Sequence, residues 1–276
     1  MGNLLKETPY SEITASLEVL DFHRVTSQHL ARLRSDKDYA RRVAEFMLRG
    51  GIDGSIHHKL ARATMGQNFF GVEEWATLYG ANFSKKQLRE VNEFPWGEDV
   101  LNSPCPFNKG KLVKDTHFAF LGLEKLNADP LTILKWQLLH PASGQPRFAS
   151  YVPDSWYSQQ ALAAKTARLR WYLLLASIVP NSTNTAWSDQ LAMLTDGYEV
   201  PTAVEEVSKD ILAYRKTGVY LNPSVYARVN DATSGGSRVN VGHFDGGRLS
   251  IDLWGVSGYY DLGLAASRKL PRTLNP

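Results

Sequence analysis

The chain has 276 residues, 43% of them apolar and 21% charged, with a net charge of +3 at pH 7. That balance belongs to an ordinary globular chain long enough to bury a substantial core, and it permits a polyanionic partner without requiring one. The one cysteine, Cys105, excludes an internal disulfide and any metal site built on several cysteines.

Ser11 is placed to cap a first helix that carries Ile13, Leu17 and Leu20 on one stripe. A second helix is predicted from Ser35, with Asp38 in its first turn and Tyr39, Val43, Phe46 and Met47 as its apolar face. Gly50 and Gly51 stop it. A third is predicted from Ser55 to Met65, with Ile56 and Leu60, ending at Gly66. Two short helices follow. One spans Val72 to Tyr79 before Gly80; the other opens with the capping box Ser84–Gln87 and carries Leu88 and Val91.

Residues 94–110 contain three prolines and two glycines, too many for a helix or a central strand. Phe94, Trp96, Leu101 and Phe107 give this loop something to bury, so it is expected to be ordered. Thr116 to Leu123 suits a buried strand. Asp129–Pro130 reads as a helix entrance, with the helix running to His140 and closed by Pro141. Ser155 to Ile178 is the longest helix candidate, ended by Pro180, and its apolar second half is assigned to the centre of the core. A shorter helix carries Trp187, Leu191 and Leu194. Thr202 and Glu205 form a capping box for a helix through Val204, Val207, Ile211 and Tyr214, with Gly218 as its cap.

From Gly218 onward the apolar period changes to two. Val239 and Val241, the turn Asp245-Gly246-Gly247, and Leu249, Ile251 and Leu253 make a β-hairpin pattern. Strands are predicted near Val225 to Val229, Arg238 to Phe244, Arg248 to Trp254 and Tyr259 to Ala265. The fold class is therefore α+β: a mainly helical region over 1–217 packed on a C-terminal antiparallel meander of about four strands over 218–276. No hydrophilic linker separates the two, which favours one integrated unit. The strand near residue 118 is a candidate member of the C-terminal sheet.

The opening MGNLLKETPY lacks the apolar stretch of a secretory signal. Lys6 stands where a myristoylation motif needs Ser or Thr. The longest apolar run, Trp171 to Val179, is about half of the roughly 20 residues that a membrane-spanning helix needs. The expectation is a cytoplasmic protein with no membrane contact, in keeping with its single cysteine.

Four groups of residues are candidates for function. From Arg24 to Arg62 there are nine Lys or Arg against four Asp or Glu, and positive charge clustered on helices is the usual footprint of phosphate contact. Residues 72–91 superficially resemble a helix-turn-helix, with Ala76 and Gly80 at that motif's interval. Lys86 departs from it, standing where an apolar residue should pack, and Glu73 and Glu74 add negative charge. Arg32, Arg34, Arg41, Arg42, Lys85, Lys86 and Arg89 are the nucleic-acid contacts this reading implies. The plain alternative is solvated helix faces.

Cys105 lies between Pro104 and Pro106, with Glu98 and Asp99 before it and Asp115 and His117 after it. A hydrolase would use Cys105 as nucleophile, His117 as base and Asp99 or Glu98 to orient the imidazole. A lone cysteine is also commonly a small buried hydrophobe. Carboxylates among aromatics (Glu73, Glu74, Trp75, Trp96, Glu98, Asp99) would suit a sugar cleft.

No metal or cofactor is expected. His57 and His58 are adjacent and point about 100° apart on a helix, and Asp245 is a turn residue. There is neither a Walker A nor a GxGxxG sequence. Arg168 and Arg170 precede the apolar run, and one of them turned inward would need a carboxylate or an anionic ligand, with structural pairing the favoured outcome.

GVEEWATLYG, KDTHFAFLGL, RWYLLLASIVPNST, YEVPTAVEEV, VGHFDGGRLSIDLW and the ending LGLAASRKL resemble a set of uncharacterised bacterial proteins. The resemblance covers roughly Phe69 to Leu270. It implies a bacterial or mobile-element origin and brings no activity. The functional expectation is a non-catalytic binding module whose basic N-terminal helices contact nucleic acid or another protein.

Overall fold

The computed structural model describes residues 4–233 and 235–271, which divide into two compact units after Gly51. The first unit is helical throughout: α1 (Leu4–Glu7), α2 (Tyr10–Phe22), α3 (Ser27–Ser35) and α4 (Lys37–Leu48). Helix α3 was not anticipated. It starts where the Thr26 backbone N–H donates to His29 Nδ1 at 3.0 Å. Asp36 caps α4 by accepting from the Tyr39 N–H at 2.8 Å.

The second unit carries the other helices and all the strands. In chain order these are α5 (Ile56–Met65), β1 (Phe69–Phe70), α6 (Val72–Tyr79), α7 (Lys85–Glu90), α8 (Glu98–Leu101), α9 (Val113–Thr116) and β2 (His117–Leu121). Next come β3 (Lys125–Leu126), β4 (Asp129–Pro130), α10 (Ile133–Leu139), β5 (Arg147–Phe148), β6 (Trp171–Leu175), α11 (Trp187–Ala192), β7 (Tyr198–Glu199) and α12 (Ala203–Thr217). The chain closes with β8 (Tyr226–Ala232), β9 (Arg238–Asp245), β10 (Arg248–Trp254), β11 (Leu262–Leu264) and β12 (Ser267–Arg268). The protein is α+β, with an antiparallel meander near its C-terminus.

Two five-stranded sheets organise this unit. One runs β11-β8-β9-β10-β5 and contains the meander β8–β9–β10. Gly246 and Gly247 turn its hairpin at φ of +48° and +81°, the left-handed pair that a two-residue β-turn needs. The fourth expected strand, β11, pairs parallel with β8. The other sheet runs β1-β2-β6-β12-β7. The strand at residue 118 belongs here, where β2 pairs antiparallel with β6 from His117↔Leu175 to Leu121↔Trp171. Residues 262–268 still tie the sheets together, because β11 lies in one and β12 in the other.

The long helix expected over Ser155–Ile178 does not form. Two short 3-10 turns (Trp156–Gln159 and Ala161–Ala164) precede strand β6, all five residues of which are buried. A central strand covered on both faces shows an unbroken apolar run, which periodicity cannot distinguish from a buried helix. Asp129–Pro130 likewise starts no helix. It pairs with Lys125–Leu126 as a short hairpin, and α10 begins later, capped by Thr132 Oγ1 accepting from the Lys135 N–H at 3.1 Å.

Helix α12 is the hub. Ten of its fifteen residues are buried, because it packs against β8 and β9 of one sheet and β1 and β2 of the other. Among the described residues, no helix is long and apolar enough to cross a membrane, and no group of three His, Cys, Asp or Glu is placed to hold a metal ion.

Candidate functional site

The seven expected nucleic-acid contacts are divided between the two units. In the first, Arg32 Nε lies 3.3 Å from Asp36 and its guanidinium covers the Tyr39 ring at 4.5 Å. Arg41 bridges Glu45 at 3.1 Å and Asp38 at 3.4 Å. Half of that basic set is thus answered by carboxylates one turn away, the ordinary fate of charges on an exposed helix. Arg34 and Arg42 are exposed and form no ion pair among the described residues. On α7, Lys85, Lys86 and Arg89 are also exposed and without an ion pair among them, while Leu88 anchors the helix to the core.

Cys105 is buried, 5% exposed, against Leu175, Val179, Trp187 and Tyr198. Its polar contact is Asn108 Nδ2 at 3.7 Å. Both His117 nitrogens are engaged elsewhere. Nδ1 lies 3.1 Å from the Val113 carbonyl and 2.9 Å from Thr116 Oγ1, and Nε2 lies 2.9 Å from the Tyr198 hydroxyl. Burial drives the imidazole down to about 4, so it is neutral at physiological pH. Asp99 and Glu98 are exposed in the first turn of α8. His117 bonds Val113, Thr116 and Tyr198, the side-chain contact of Cys105 is Asn108, and Asp99 stays exposed, so no nucleophile–base–carboxylate chain is assembled among the described residues.

Of the carboxylates in the supposed sugar cleft, Glu73 and Glu74 are spent on internal ion pairs, while Glu98 and Asp99 are exposed on α8. Glu74 accepts from Arg62 at 2.8 Å and from Lys216 at 3.0 Å, and Glu73 also pairs with Arg62. Arg62 and then Lys216 hold the Glu74 carboxyl down to about 2 against the opposing effect of burial. Arg170 is half-buried, 3.8 Å from both Glu199 and Glu205, as expected for an inward-turning arginine.

A different constellation stands where three helices end. Tyr79 closes α6 before Gly80 turns the chain at φ +61°, His140 follows the last turn of α10, and Arg215 sits in the last turn of α12. Together with Leu78, Leu139, Pro141, Gln145 and Pro146 they line a cavity of about 320 Å³. The Tyr79 hydroxyl is 3.1 Å from His140 Nε2. Trp136 stacks on His140 at 5.9 Å and meets Tyr79 edge-on at 5.6 Å, which fixes both rings from beneath. Tyr151 donates its hydroxyl to the His140 carbonyl at 2.6 Å and pins the backbone there.

Electrostatically this cavity is unbalanced. The Arg215 guanidinium lies 5.7 Å from the Tyr79 ring centroid and forms no ion pair among the described residues. Its Nε is buried and has no hydrogen-bond partner. Burial, then the neighbouring Arg215, lowers His140 to about 4, and burial raises the Tyr79 hydroxyl above its ordinary range. The polar side chains lining the cavity are therefore a cation, a neutral imidazole, a neutral phenol and the Gln145 amide. The three helix C-termini favour a cation here, but they leave Nε unsatisfied. No motif spacing could have revealed this set, since its members lie 61 and 75 residues apart. The legible signal was local, in that each shortly precedes a predicted helix stop, Gly80, Pro141 or Gly218.

No family model, no curated protein and no solved structure matches the chain.

Proposed function

We propose that the protein is a non-catalytic binding module that holds an oxyanion, a carboxylate or a phosphate, in the cavity formed by Tyr79, His140 and Arg215. One observation carries this reading: a guanidinium without a carboxylate partner, its Nε buried and unbonded, borders a concave space of ligand size. An oxyanion supplies the missing charge and accepts from Arg215 in the two-pronged geometry that guanidinium groups favour. The Tyr79 hydroxyl, held against His140 Nε2 at 3.1 Å, borders the site, and Leu78, Leu139, Pro141 and Pro146 would cover an apolar portion of the ligand. Neither His140 nor Tyr79 titrates near neutrality, so neither is poised for general acid–base work.

The test is thermal unfolding and calorimetry of the full chain with benzoate and with inorganic phosphate as probes. A saturable rise in Tm with one of them is expected, lost in Arg215→Met and kept in Arg34→Ala. Absence of a shift with both probes, or an equal shift in Arg215→Met, overturns the proposal. The two probes separate a carboxylate ligand from a phosphate one.

A second reading, nucleic-acid contact, is favoured by the exposed, unpaired Lys85, Lys86 and Arg89 on α7. It calls for binding of a labelled oligonucleotide that weakens steeply with salt. Affinity unchanged at about 0.1 M salt in Lys85→Glu, Lys86→Glu removes it.

A further inference from the structure

Helices α2, α3 and α4 contain no buried residue, yet α2 and the end of α4 carry exposed apolar side chains. On α2, Tyr10, Ile13, Leu17 and Leu20 follow the 3-4-3 spacing of a helix-pairing seam. Tyr10 is 83% exposed, Leu17 46% and Leu20 40%. Near the end of α4, Phe46, Met47 and Leu48 are also exposed, Met47 by 72%. Helices of 9 to 13 residues are marginal in water on propensity alone and depend on burying an apolar face. Contiguous exposed apolar residues of this kind mark an interaction surface.

Charge indicates what covers it. Helix α2 holds Glu12, Glu18 and Asp21 and no Lys or Arg, and none of the three forms an ion pair among the described residues. In the same unit Arg34 and Arg42 are equally unanswered. Asp21 lies one turn beyond Leu17, and Arg42 one turn before Phe46, so each apolar patch is flanked by an unpaired charge of opposite sign. A nucleic acid offers no counterpart to the acidic helix or to the apolar side chains. A second copy of the unit offers both.

We infer that a second copy of this chain covers the α2 stripe, forming a two-fold dimer in which α2 of each protomer seats against the Phe46–Leu48 end of α4 of the other. The contact is self-complementary and closes on itself, as a two-fold interface must. Asp21 of one protomer then faces Arg42 of its partner, and the relation repeats across the axis.

The experiment is light scattering coupled to size exclusion on the full chain at about 50 µM, a concentration that populates a dimer of micromolar Kd. The expected mass is twice the 30.9 kDa of one chain. Leu17→Asp with Leu20→Asp should return the monomer mass while the rest of the protein keeps its near-ultraviolet tryptophan signal. Because that variant could act by melting α2, the charge pair is tested separately. Asp21→Arg and Arg42→Asp should each weaken the dimer about tenfold, and mixing the two variants should restore it. A monomeric wild type overturns the inference, whether the surface is empty or binds a different protein. So does a dimer that survives the leucine variant, or one that shows no rescue on mixing.

Discussion

His117 Nε2 and the Tyr198 hydroxyl stand 2.9 Å apart in the protein interior, and this contact decides what the proline-rich loop can do. With the Nδ1 side occupied by the Val113 carbonyl, the imidazole has no free nitrogen for Cys105. Arg268 Nη1 also donates to that hydroxyl at 3.2 Å, which places a cation beside His117 and further disfavours its protonation. Cys105 should therefore behave as a packed, inert thiol. At neutral pH iodoacetamide is expected to leave it unmodified for hours and to label it within minutes once the chain is unfolded. Fast labelling of the folded protein would refute this.

His140 and His117 both sit near 4, below the ordinary histidine value of 6.5, because burial penalises the imidazolium. The unfolded chain binds these protons first, so stability is complete above about pH 6.5 and is lost as pH falls toward 4. Each group contributes a loss on the order of 2–3 kcal/mol at pH 4. His140→Phe keeps a ring on Trp136 and removes one of the two. The drop in urea midpoint between pH 7 and pH 4.5 should be visibly smaller in the variant, and an identical drop would be incompatible with a neutral buried His140.

Asp210 acts in the opposite direction. Burial raises its carboxyl to about 7, with Lys209 opposing and Glu206 reinforcing the shift. Lys209 Nζ lies 2.5 Å from Glu206 and 3.4 Å from Asp210, so one buried cation serves two carboxyls, and both Asp210 oxygens lack a hydrogen-bond partner. A folded pKa above the unfolded one means stability that is present in acid and lost as pH rises through 7. Relative to the wild type, Asp210→Asn should make the change in Tm from pH 5 to pH 8 more positive by at least about 2 °C. Equal slopes in the two proteins would show that Asp210 is already ionised across that range.

Arg228 is wholly buried on β8 without a carboxylate. It donates to Gln190 Oε1 at 2.9 Å and to the carbonyls of Gly255 and Ser257 at 3.1 and 2.9 Å. Burial, with Arg238 nearby, lowers the guanidinium to about 10, so it stays charged at neutral pH. Arg228→Met fills much of the space but leaves three acceptors unpaired, at roughly 1–3 kcal/mol for a buried group. The expected result is a lower Tm with faster hydrogen exchange confined at first to residues 255–261. Uniform loss of protection across both sheets would mean that Arg228 supports the whole unit and not this loop.

The helix stops at Gly66, Gly80 and Gly218, the caps at Ser55, Ser84 and Thr202, and the Gly246–Gly247 hairpin were all legible because each depends on a few neighbouring residues. The run from Trp171 to Leu175 was not. Five apolar residues in sequence are compatible with helix or strand until something pairs with them, and the partner is Phe118 and its neighbours, more than fifty residues earlier. For the same reason the basic residues of α3 and α4 looked like one continuous surface. That Arg32 and Arg41 pair with Asp36, Asp38 and Glu45 while Arg34 and Arg42 do not depends on side-chain direction around each helix, which composition does not carry.

By itself the sequence determined the α+β class, the caps and stops of most helices and the meander, since short-range hydrogen bonding and hydrophobic period are written locally. Only the tertiary structure decided which strands neighbour β6, which charges are spent on internal pairs, and that Tyr79, His140 and Arg215 meet around one cavity. Within the second unit these outcomes accompany the packing of α12 between two sheets. That packing brings the C-terminal ends of three helices together and sets residues dozens of positions apart within hydrogen-bonding reach.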